Sequence, residues 1–321
     1  MIKDKNKEIY HTWCEDNDEL PLFMRPYWLN VVCGNKWNVA ISYAKDGSVR
    51  GVMPYVEPSG ILKISKMPKQ TQFLGPWIVY PPANPKKGLE VKNSISMENK
   101  VLSDLIKKLP KYSFFRQKFS YRIKNWLSFY WDNFEQTTNY TYHLSLDQDE
   151  QEIFDGFRSN IRGDIRKALK NVTVCSDLSL KAFYEVNKKT FSRQSLSIPY
   201  SESLVKDIDM EMVGRDQRKI FFAKDSAGNI HSAIYIVWDK DTSYYLWGGG
   251  DPAYRSSGAT SLLMWEAIKF SKEKGLKVFD FEGSMIQPVE RFVRSFGAVQ
   301  TPYFVITKKS RLMKLVFGIF K

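Results

Sequence analysis

Residues 243–298 decide the fold, and they read SYYLWGGGDPAYRSSGATSLLMWEAIKFSKEKGLKVFDFEGSMIQPVERFVRSFGA. The stretch opens with an aromatic strand at 243–247 that runs into three glycines, and Gly275 closes a predicted helix from Ala259 to Lys274. A buried strand is predicted at 276–281, followed by a short helix. This order places a helix N-terminus beside a strand end, which suits a phosphate-bearing ligand. An ordinary strand-to-helix turn would use the same glycines.

The length and charge of the chain limit what it can be. Its 321 residues are enough for two domains, each with its own core. The formal net charge of +13 favours anionic partners, such as nucleic acid, phosphorylated substrates or a membrane surface. The alternative is that the excess basic side chains lie on the surface and contact only solvent.

Cysteine usage and the chain ends predict a cytoplasmic protein. Cys14, Cys33 and Cys175 are widely spaced and form neither a metal-ligand pattern nor a disulfide framework, so we expect reduced thiols. The first residues lack the apolar core of a signal peptide, and no window approaches the ~20 apolar residues that span a bilayer. The basic, amphipathic tail at 308–321 is expected to dock on the protein body, with peripheral contact to the inner face of the membrane as the alternative.

The pattern of elements predicts an α/β chain with mixed sheets in two halves, which we place at 1–142 and 143–321. In the first half, Asp46-Gly47 predicts a hairpin between strands, and the polar stretch at 84–96 predicts a surface loop. Further elements are predicted as a strand at 140–146, a helix at 148–169, and a meander of strands at 218–224 and 230–238.

Several motifs carry a family resemblance. Residues 255–259, RSSGA, look like the pyrophosphate loop of the GNAT acyltransferase superfamily, although Thr260 departs from the pattern at its last position. Residues 292–297 resemble a later element of that fold, while 280–284 and the basic helix at 158–168 resemble its FemAB-like branch, the Fem-type tandem GNAT proteins. Shorter likenesses to this branch lie at Met67-Pro68, Thr71-Gln72, 74–77 and 140–142, so the resemblance covers nearly the whole chain.

The resemblance implies two tandem GNAT-like domains, with acyl-CoA as co-substrate of the second domain and no metal. The thioester carbonyl would lie against backbone amides of a splayed strand that ends at the glycines, and the CoA pyrophosphate would lie on the loop. The cofactor-binding residues expected on this basis are Gly249, Gly250, Arg255, Ser256, Ser257, Gly258, Ala259 and Thr260.

A carboxylate at a strand end is the candidate general base. Glu282 is expected to take the proton of an attacking amine or hydroxyl, and Asp280, two residues earlier, points to the same side of the strand. The two carboxylates would raise one pKa or share a hydrogen-bond network. In the structural alternative, Glu282 caps the next helix or pairs with Arg291 or Arg294.

Substrate binding is expected at three arginines and two tryptophans. Arg158, Arg162 and Arg166 fall on one face of the predicted helix. Guanidinium groups bind phosphates well because they can donate two parallel hydrogen bonds. The alternative is a basic helix face that only contacts solvent. Trp77 is expected to form one wall of the acceptor site. In the alternative, its aromatic segment fills the space between the two domains. We also expect Trp247 to contact substrate.

Three functions remain open. The first is an acyltransferase that moves an acyl group from acyl-CoA to an amine or hydroxyl of a sugar or cell-envelope acceptor, itself an anionic molecule or a nucleotide- or lipid-linked one. The second is Fem-type transfer of an amino acid from aminoacyl-tRNA to a peptidoglycan precursor, which the positive charge suits. The third is a binding protein that kept the fold and lost the chemistry.

Overall fold

The computed structural model describes residues 2–80, 91–192, 197–283 and 285–314. The helices are α1 (Ile2–Glu15), α2 (Pro26–Cys33), α3 (Val91–Lys108), α4 (Leu127–Trp131), α5 (Glu150–Asp155), α6 (Ser159–Ala168), α7 (Leu180–Ser192), α8 (Glu202–Val213), α9 (Ala259–Glu273) and α10 (Gln287–Arg294). The strands are β1 (Trp37–Tyr43), β2 (Val49–Val56), β3 (Ile64–Ser65), β4 (Trp77–Ile78), β5 (Phe114–Lys118), β6 (Glu135–Ser145), β7 (Thr173–Cys175), β8 (Arg218–Lys224), β9 (Ile230–Trp238), β10 (Thr242–Gly250), β11 (Val278–Asp280) and β12 (Val299–Lys309).

The chain divides into two compact units. Unit 1 contains residues up to Asn139 and the chain from Pro302 onward, and unit 2 is Tyr140–Thr301. The first boundary lies three residues before the predicted one, and the end of the chain groups with unit 1 rather than with the second half. The physical reason is β12, which was not predicted: its residues 305–309 pair antiparallel with β5. Part of the predicted loop, 84–90, and part of the predicted tail, 315–321, lie outside the described residues.

Unit 1 contains the predicted hairpin. Strands β1 and β2 pair antiparallel from Trp37 opposite Val56, and β4 extends this sheet on the other side of β2. Helix α3 begins at Val91, so the second part of the predicted loop is helical. The buried face of α3, with Leu102 and Leu105, joins aromatic side chains such as Phe115 in one core.

Unit 2 carries a mixed sheet in the order β6-β11-β10-β9-β8-β7. The meander β8-β9-β10 is antiparallel as predicted, while β10 and β11 run parallel because α9 connects them. Helix α9 covers the sheet with a broad apolar surface that includes Leu262 and Leu263, and α6 packs beside it. This arrangement holds the N-terminus of α9 next to the end of β10.

The predicted helix at 148–169 is wrong in one respect, because two helices occupy that stretch. A capping box of Asp149 and Glu152 starts α5, which ends at Gly156. Arg158 then adopts an extended backbone (φ −61°, ψ 152°), and its N–H donates to the carbonyl of Ser295 at 2.9 Å. Helix α6 therefore starts anew after Arg158.

Candidate active site

The first feature of the site is an opening beside β10. This strand has nine residues, but its pairing with β11 covers only Thr242, Ser243 and Tyr244. On its other edge it stays paired with β9 as far as Gly250. Among the described residues, β10 has no strand partner on this edge from Tyr245 onward, because β11 ends at Asp280. An unpaired strand edge is what an acyl-transfer strand needs. The three glycines belong to β10 itself, whereas the sequence predicted that they end the strand.

Gly249 is required by packing. A Cβ on Gly249 would lie 2.7 Å from the Cα of Asn187, a backbone atom, whereas one on Gly248 would meet the side chain of Tyr245. Helix α7 lies this close because its side chains bond the end of β10. Asn187 Nδ2 donates to the carbonyl of Gly248 at 2.8 Å, and the N–H of Gly250 donates to Thr190 Oγ1 at 3.0 Å.

The second feature is a pocket of about 470 Å³ at the end of β10, which we call the anion pocket. Its lining contains six of the eight predicted cofactor residues; Gly249 and Ser256 do not line it. The lining residues are Asp164, Thr190, His231, Gly250, Asp251, Pro252, Tyr254, Arg255, Ser257, Gly258, Ala259, Thr260, Ser261 and Phe292.

The loop geometry presents a helix N-terminus to this pocket. Residues 252–257 form a 3₁₀ helix, whose first turn is capped by the Asp251 side chain through the N–H of Ala253 at 3.0 Å. Gly258 follows with φ +79°, and a Cβ there would collide with the carbonyl oxygen of Asp164. The backbone N–H groups of the first turn of α9 have no acceptor within the helix, and they carry the positive end of its dipole.

Both basic and acidic side chains lie near the loop at 252–257. Arg255 lines the pocket and is exposed, and Lys167 of α6 donates to the carbonyl of Ser256 at 2.5 Å. Asp251 is ion-paired with Lys189 at 2.5 Å, and the hydrogen bond from Lys189 lowers the pKa of the Asp251 carboxyl. The ion pair reduces the repulsion that Asp251 would exert on an anion. The pocket can therefore accept a diphosphate through backbone N–H groups and Arg255.

His231 was not predicted as a site residue. It is 7% exposed, lines the anion pocket, and its ring stacks on that of Tyr254 with centroids 3.9 Å apart. No local sequence signal could have found it, because its position follows from the register of β9 against the end of β10, where Ser232 pairs with Gly250.

The two candidate catalytic carboxylates lie at the end of β11. Asp280 is buried and accepts hydrogen bonds from Thr141 Oγ1 at 2.5 Å and from the backbone N–H of Glu282 at 2.8 Å. His143 Nε2 lies 3.1 Å from the same carboxylate. The predicted shared network thus includes the backbone of Glu282, which adopts φ +49°, a strained conformation for a residue with a side chain. Neither carboxylate lines the anion pocket.

The arginine stripe does not converge on the anion pocket. Arg158 is the N-cap residue of α6. Arg162 donates to the carbonyl of Asp155 at 2.6 Å, and the guanidinium of Arg166 lies 6.0 Å from the ring centre of Phe154. Lys167, the neighbour of Arg166, is the basic residue of α6 that reaches the loop.

The two predicted substrate-binding tryptophans have different surroundings. Trp247 is buried between the rings of Tyr235 and Tyr200, at 4.9 and 5.6 Å, so its side chain belongs to the core of unit 2. Trp77 lines a separate pocket of about 420 Å³ in unit 1. There the guanidinium of Arg122 lies 5.3 Å from the centre of its ring.

The described residues contain neither a membrane-spanning helix nor a metal-binding cluster. No helix there has both the length and the apolarity needed to cross a membrane. In the same part of the chain, no three His, Cys, Asp or Glu side chains are grouped as they would be around a metal ion.

Comparisons with known proteins agree with this geometry. Residues 155–287 match the model of the acetyltransferase (GNAT) domain. A comparison with curated protein sequences found no match.

Solved structures with a similar fold span most of the chain. The structure of FemX is 14% identical with a TM-score of 0.63, and the similarity covers 88% of this chain and 91% of FemX. L-PGS from Bacillus licheniformis is 11% identical with a TM-score of 0.52, covering 90% and 89%. A tandem GNAT protein from the clavulanic acid biosynthesis pathway is 9% identical with a TM-score of 0.50, covering 90% and 97%. The chain therefore has a GNAT-type fold similar to that of tandem GNAT proteins, and the predicted fold class is confirmed.

Proposed function

We propose that this protein transfers an acyl group from acyl-CoA to an amine or hydroxyl of a sugar or cell-envelope acceptor. One observation carries the proposal: β10 continues beyond its pairing with β11 as far as Gly250, and Gly250 lines the anion pocket. This arrangement suits an extended donor, whose thioester would lie beside β10 and whose diphosphate would lie in the anion pocket. Acetyl-CoA is the simplest donor of this class.

The anion pocket would hold the diphosphate. Backbone N–H groups at the start of α9, the hydroxyls of Ser257 and Thr260, and the Arg255 guanidinium supply donors of the right charge. Gly249 and Ser256 would contribute only by shaping the strand and the loop. Because Thr260 also bonds Ser232 Oγ at 2.9 Å, its hydroxyl is already held in place beside β10.

The chemistry needs an oxyanion donor and a proton acceptor. As the acceptor's nitrogen or oxygen bonds to the thioester carbon, the carbonyl oxygen gains negative charge, which N–H groups of β10 would stabilise. The acceptor's proton would pass to the Glu282 carboxylate, and the CoA thiolate would leave. Asp280 would act as a positioning residue, since it accepts a hydrogen bond from the backbone of Glu282.

The acceptor side of the proposal rests on unit 1 and on basic residues of unit 2. The pocket around Trp77 offers an aromatic wall next to Arg122, and the carboxylates of Asp16, Asp18 and Glu19 also line it, which suits a sugar that bears an amine. Arg158, Arg162 and Arg166 are proposed to attract an anionic acceptor to the surface of unit 2 rather than to hold the donor. Trp247 would support the donor strand from within the core.

The rival proposal is transfer of an amino acid from aminoacyl-tRNA. The specific observation in its favour is the fold similarity to FemX over most of both chains, together with the net charge of +13. A nucleic-acid donor would bind through many phosphate contacts, so its affinity would fall steeply with salt. A CoA donor makes fewer such contacts and would be less sensitive.

Calorimetric titration separates the two donors. We expect acetyl-CoA to bind the wild-type protein, and Arg255→Ala to weaken binding about tenfold, because a charged hydrogen bond to phosphate is lost. Arg215→Ala is the matched control, since Arg215 follows α8, pairs with Glu211 at 2.7 Å and does not line the anion pocket. Binding of charged tRNA but not of acetyl-CoA would overturn the proposal in favour of its rival.

We also propose that the protein is cytoplasmic and that its C-terminal segment contacts the inner face of the membrane. In its described part, Met313 is buried in unit 1 while Leu312 is 59% exposed beside Arg311 and Lys314. An exposed apolar residue among cations suits an anionic lipid surface. Co-sedimentation with phosphatidylglycerol vesicles, compared with phosphatidylcholine vesicles, tests this; equal recovery with both lipids would contradict it.

A further inference from the structure

The open edge of β10 presents the backbone groups of alternate residues. Asp251 directly follows the strand, and its N–H donates to the carbonyl of His231 at 2.9 Å, so Asp251 faces β9. Successive residues of a strand direct their N–H and C=O groups to opposite edges. Gly248 and Gly250 therefore face the other edge, where β11 does not extend. Both are half-buried, whereas Gly249 between them is buried, so this part of the strand keeps exposed surface.

Side chains of α7 bond three of the four backbone groups that these two glycines present. The N–H and the carbonyl of Gly250 both bond Thr190 Oγ1, at 3.0 and 3.3 Å. Asn187 Nδ2 donates to the carbonyl of Gly248 at 2.8 Å. The fourth group is the N–H of Gly248, which neither of these side chains bonds. It is the backbone donor at this edge that a ligand can use.

The orientation of the Asn187 amide is fixed on both sides. Asn187 is 1% exposed, and its Oδ1 accepts from the hydroxyl of Tyr200 at 2.6 Å. A carbonyl only accepts hydrogen bonds, so the amide nitrogen must be the atom that faces Gly248. The reversed amide would place two acceptors against each other in a buried site, which is unfavourable.

This hydrogen bond matters for any ligand carbonyl that accepts from Gly248. Such an oxygen would lie at the same edge as the carbonyl oxygen of Gly248, and the two oxygens repel each other. The repulsion grows as the ligand oxygen gains negative charge during acyl transfer. A donor on the Gly248 carbonyl offsets this repulsion, and it holds residue 248 in the conformation that directs its N–H outward.

We propose that Asn187 is a positioning residue of the acyl-transfer site, which holds the N–H of Gly248 against the carbonyl oxygen of the donor thioester. This inference rests on the proposed acyl-CoA donor, and it names the backbone donor and the side chain that supports it. Asn187 acts through Gly248 and does not itself contact the thioester.

The test compares two ligands that differ only at the carbonyl. Acetyl-CoA has a thioester carbonyl, and S-ethyl-CoA has a CH₂ group in its place. Calorimetric titration of the full wild-type chain should give an affinity about 3- to 10-fold higher for acetyl-CoA, the net contribution of one hydrogen bond. In Asn187→Leu the two affinities should become equal. The affinity for S-ethyl-CoA should stay at the wild-type value, because Asn187 does not line the anion pocket.

Phe183→Leu is the matched control for a general loosening of α7. Phe183 lies one turn before Asn187 on the same face, and its ring packs on those of Tyr235 and Trp247 at 5.6 and 6.4 Å. This variant should keep the preference for acetyl-CoA. If Asn187→Leu does not fold, Asn187→Ser takes its place, since its side chain ends one bond earlier. A preference that survives in the Asn187 variant, or that Phe183→Leu also abolishes, overturns the positioning role.

A second readout needs no variant. Residues 247–248 are the one Trp-Gly pair in the sequence, so ¹³C in tryptophan carbonyls and ¹⁵N in glycine isolate the Gly248 amide by NMR. Its proton signal should lie further downfield with acetyl-CoA bound than with S-ethyl-CoA bound, because only the first ligand accepts a hydrogen bond. Equal positions, or equal wild-type affinities, overturn this inference and leave the donor proposal intact. Failure of both ligands to bind overturns both.

Discussion

Gly258 and Gly275 offer a matched test of why a glycine stands in the loop. They flank α9 at its two ends, and both have φ +79°. At Gly275 a Cβ would meet no atom within 4 Å, whereas at Gly258 it would collide with the Asp164 carbonyl group, whose carbon would be 2.8 Å away. Alanine at either position adds the same backbone strain, and only at Gly258 does it add a steric conflict between α9 and α6.

The expected magnitudes follow from these two contributions. Gly275→Ala should lower the free energy of unfolding by about 1–2 kcal/mol, the cost of a left-handed backbone with a side chain. Gly258→Ala should lower it by a further ~1–3 kcal/mol, the usual cost of overpacking, because a backbone carbonyl cannot rotate away as a side chain can. Urea unfolding followed by circular dichroism measures both variants against the same wild-type chain.

Equal destabilisation by the two variants would refute this reasoning. If Gly258→Ala were no less stable than Gly275→Ala and yet lost affinity for acetyl-CoA, the glycine would be required for ligand contact instead of helix packing. That result would restore the interpretation of the loop as a ligand-binding motif in its own right.

Three further predictions concern carboxylates and thiols. Glu282→Gln should reduce acyl transfer about 10²–10⁴-fold with unchanged melting, while Glu211→Gln in α8 should not; full acyl transfer by Glu282→Gln would refute Glu282 as the proton acceptor. Because the hydrogen bonds from Asn229 lower the pKa of Asp225 to about 2, its contribution to stability is complete above its unfolded value of about 4 and is lost as the pH falls through about 2. Acid titration of Asp225→Asn should therefore lack this part of the loss, and a curve identical to wild type would contradict it. Burial raises the pKa of Cys14 and Cys33 to about 12, so both thiols should react with DTNB at pH 8 far more slowly in native protein than in urea; equal rates would contradict the burial.

Local patterns were enough to predict much of the second unit. The meander predicted at 218–224 and 230–238 matches β8 and β9, and Gly275 marked the end of α9. Six of the eight expected cofactor residues line the anion pocket, because a loop and the helix N-terminus that follows it are adjacent in sequence. Their binding of a cofactor stays a prediction.

What lay beyond sequence reasoning depends on residues that are distant in the chain. Helix α6 starts where it does because Arg158 bonds Ser295, and Asp280 is held by Thr141, which is 139 residues away. The same holds for His231, whose place in the pocket depends on the register of β9 against β10.

The sequence by itself determined that residues 243–298 contain a strand, a loop and a helix whose N-terminus can receive an anion, since propensity, capping and helix dipole act within a few residues. Only the tertiary structure decided that the pairing of β10 with β11 ends at Tyr244, and that the three glycines continue the strand beside α7. Strand pairing and close packing are properties of segments brought together by folding. The opening beside β10, on which the proposed chemistry depends, therefore became visible only in the folded chain.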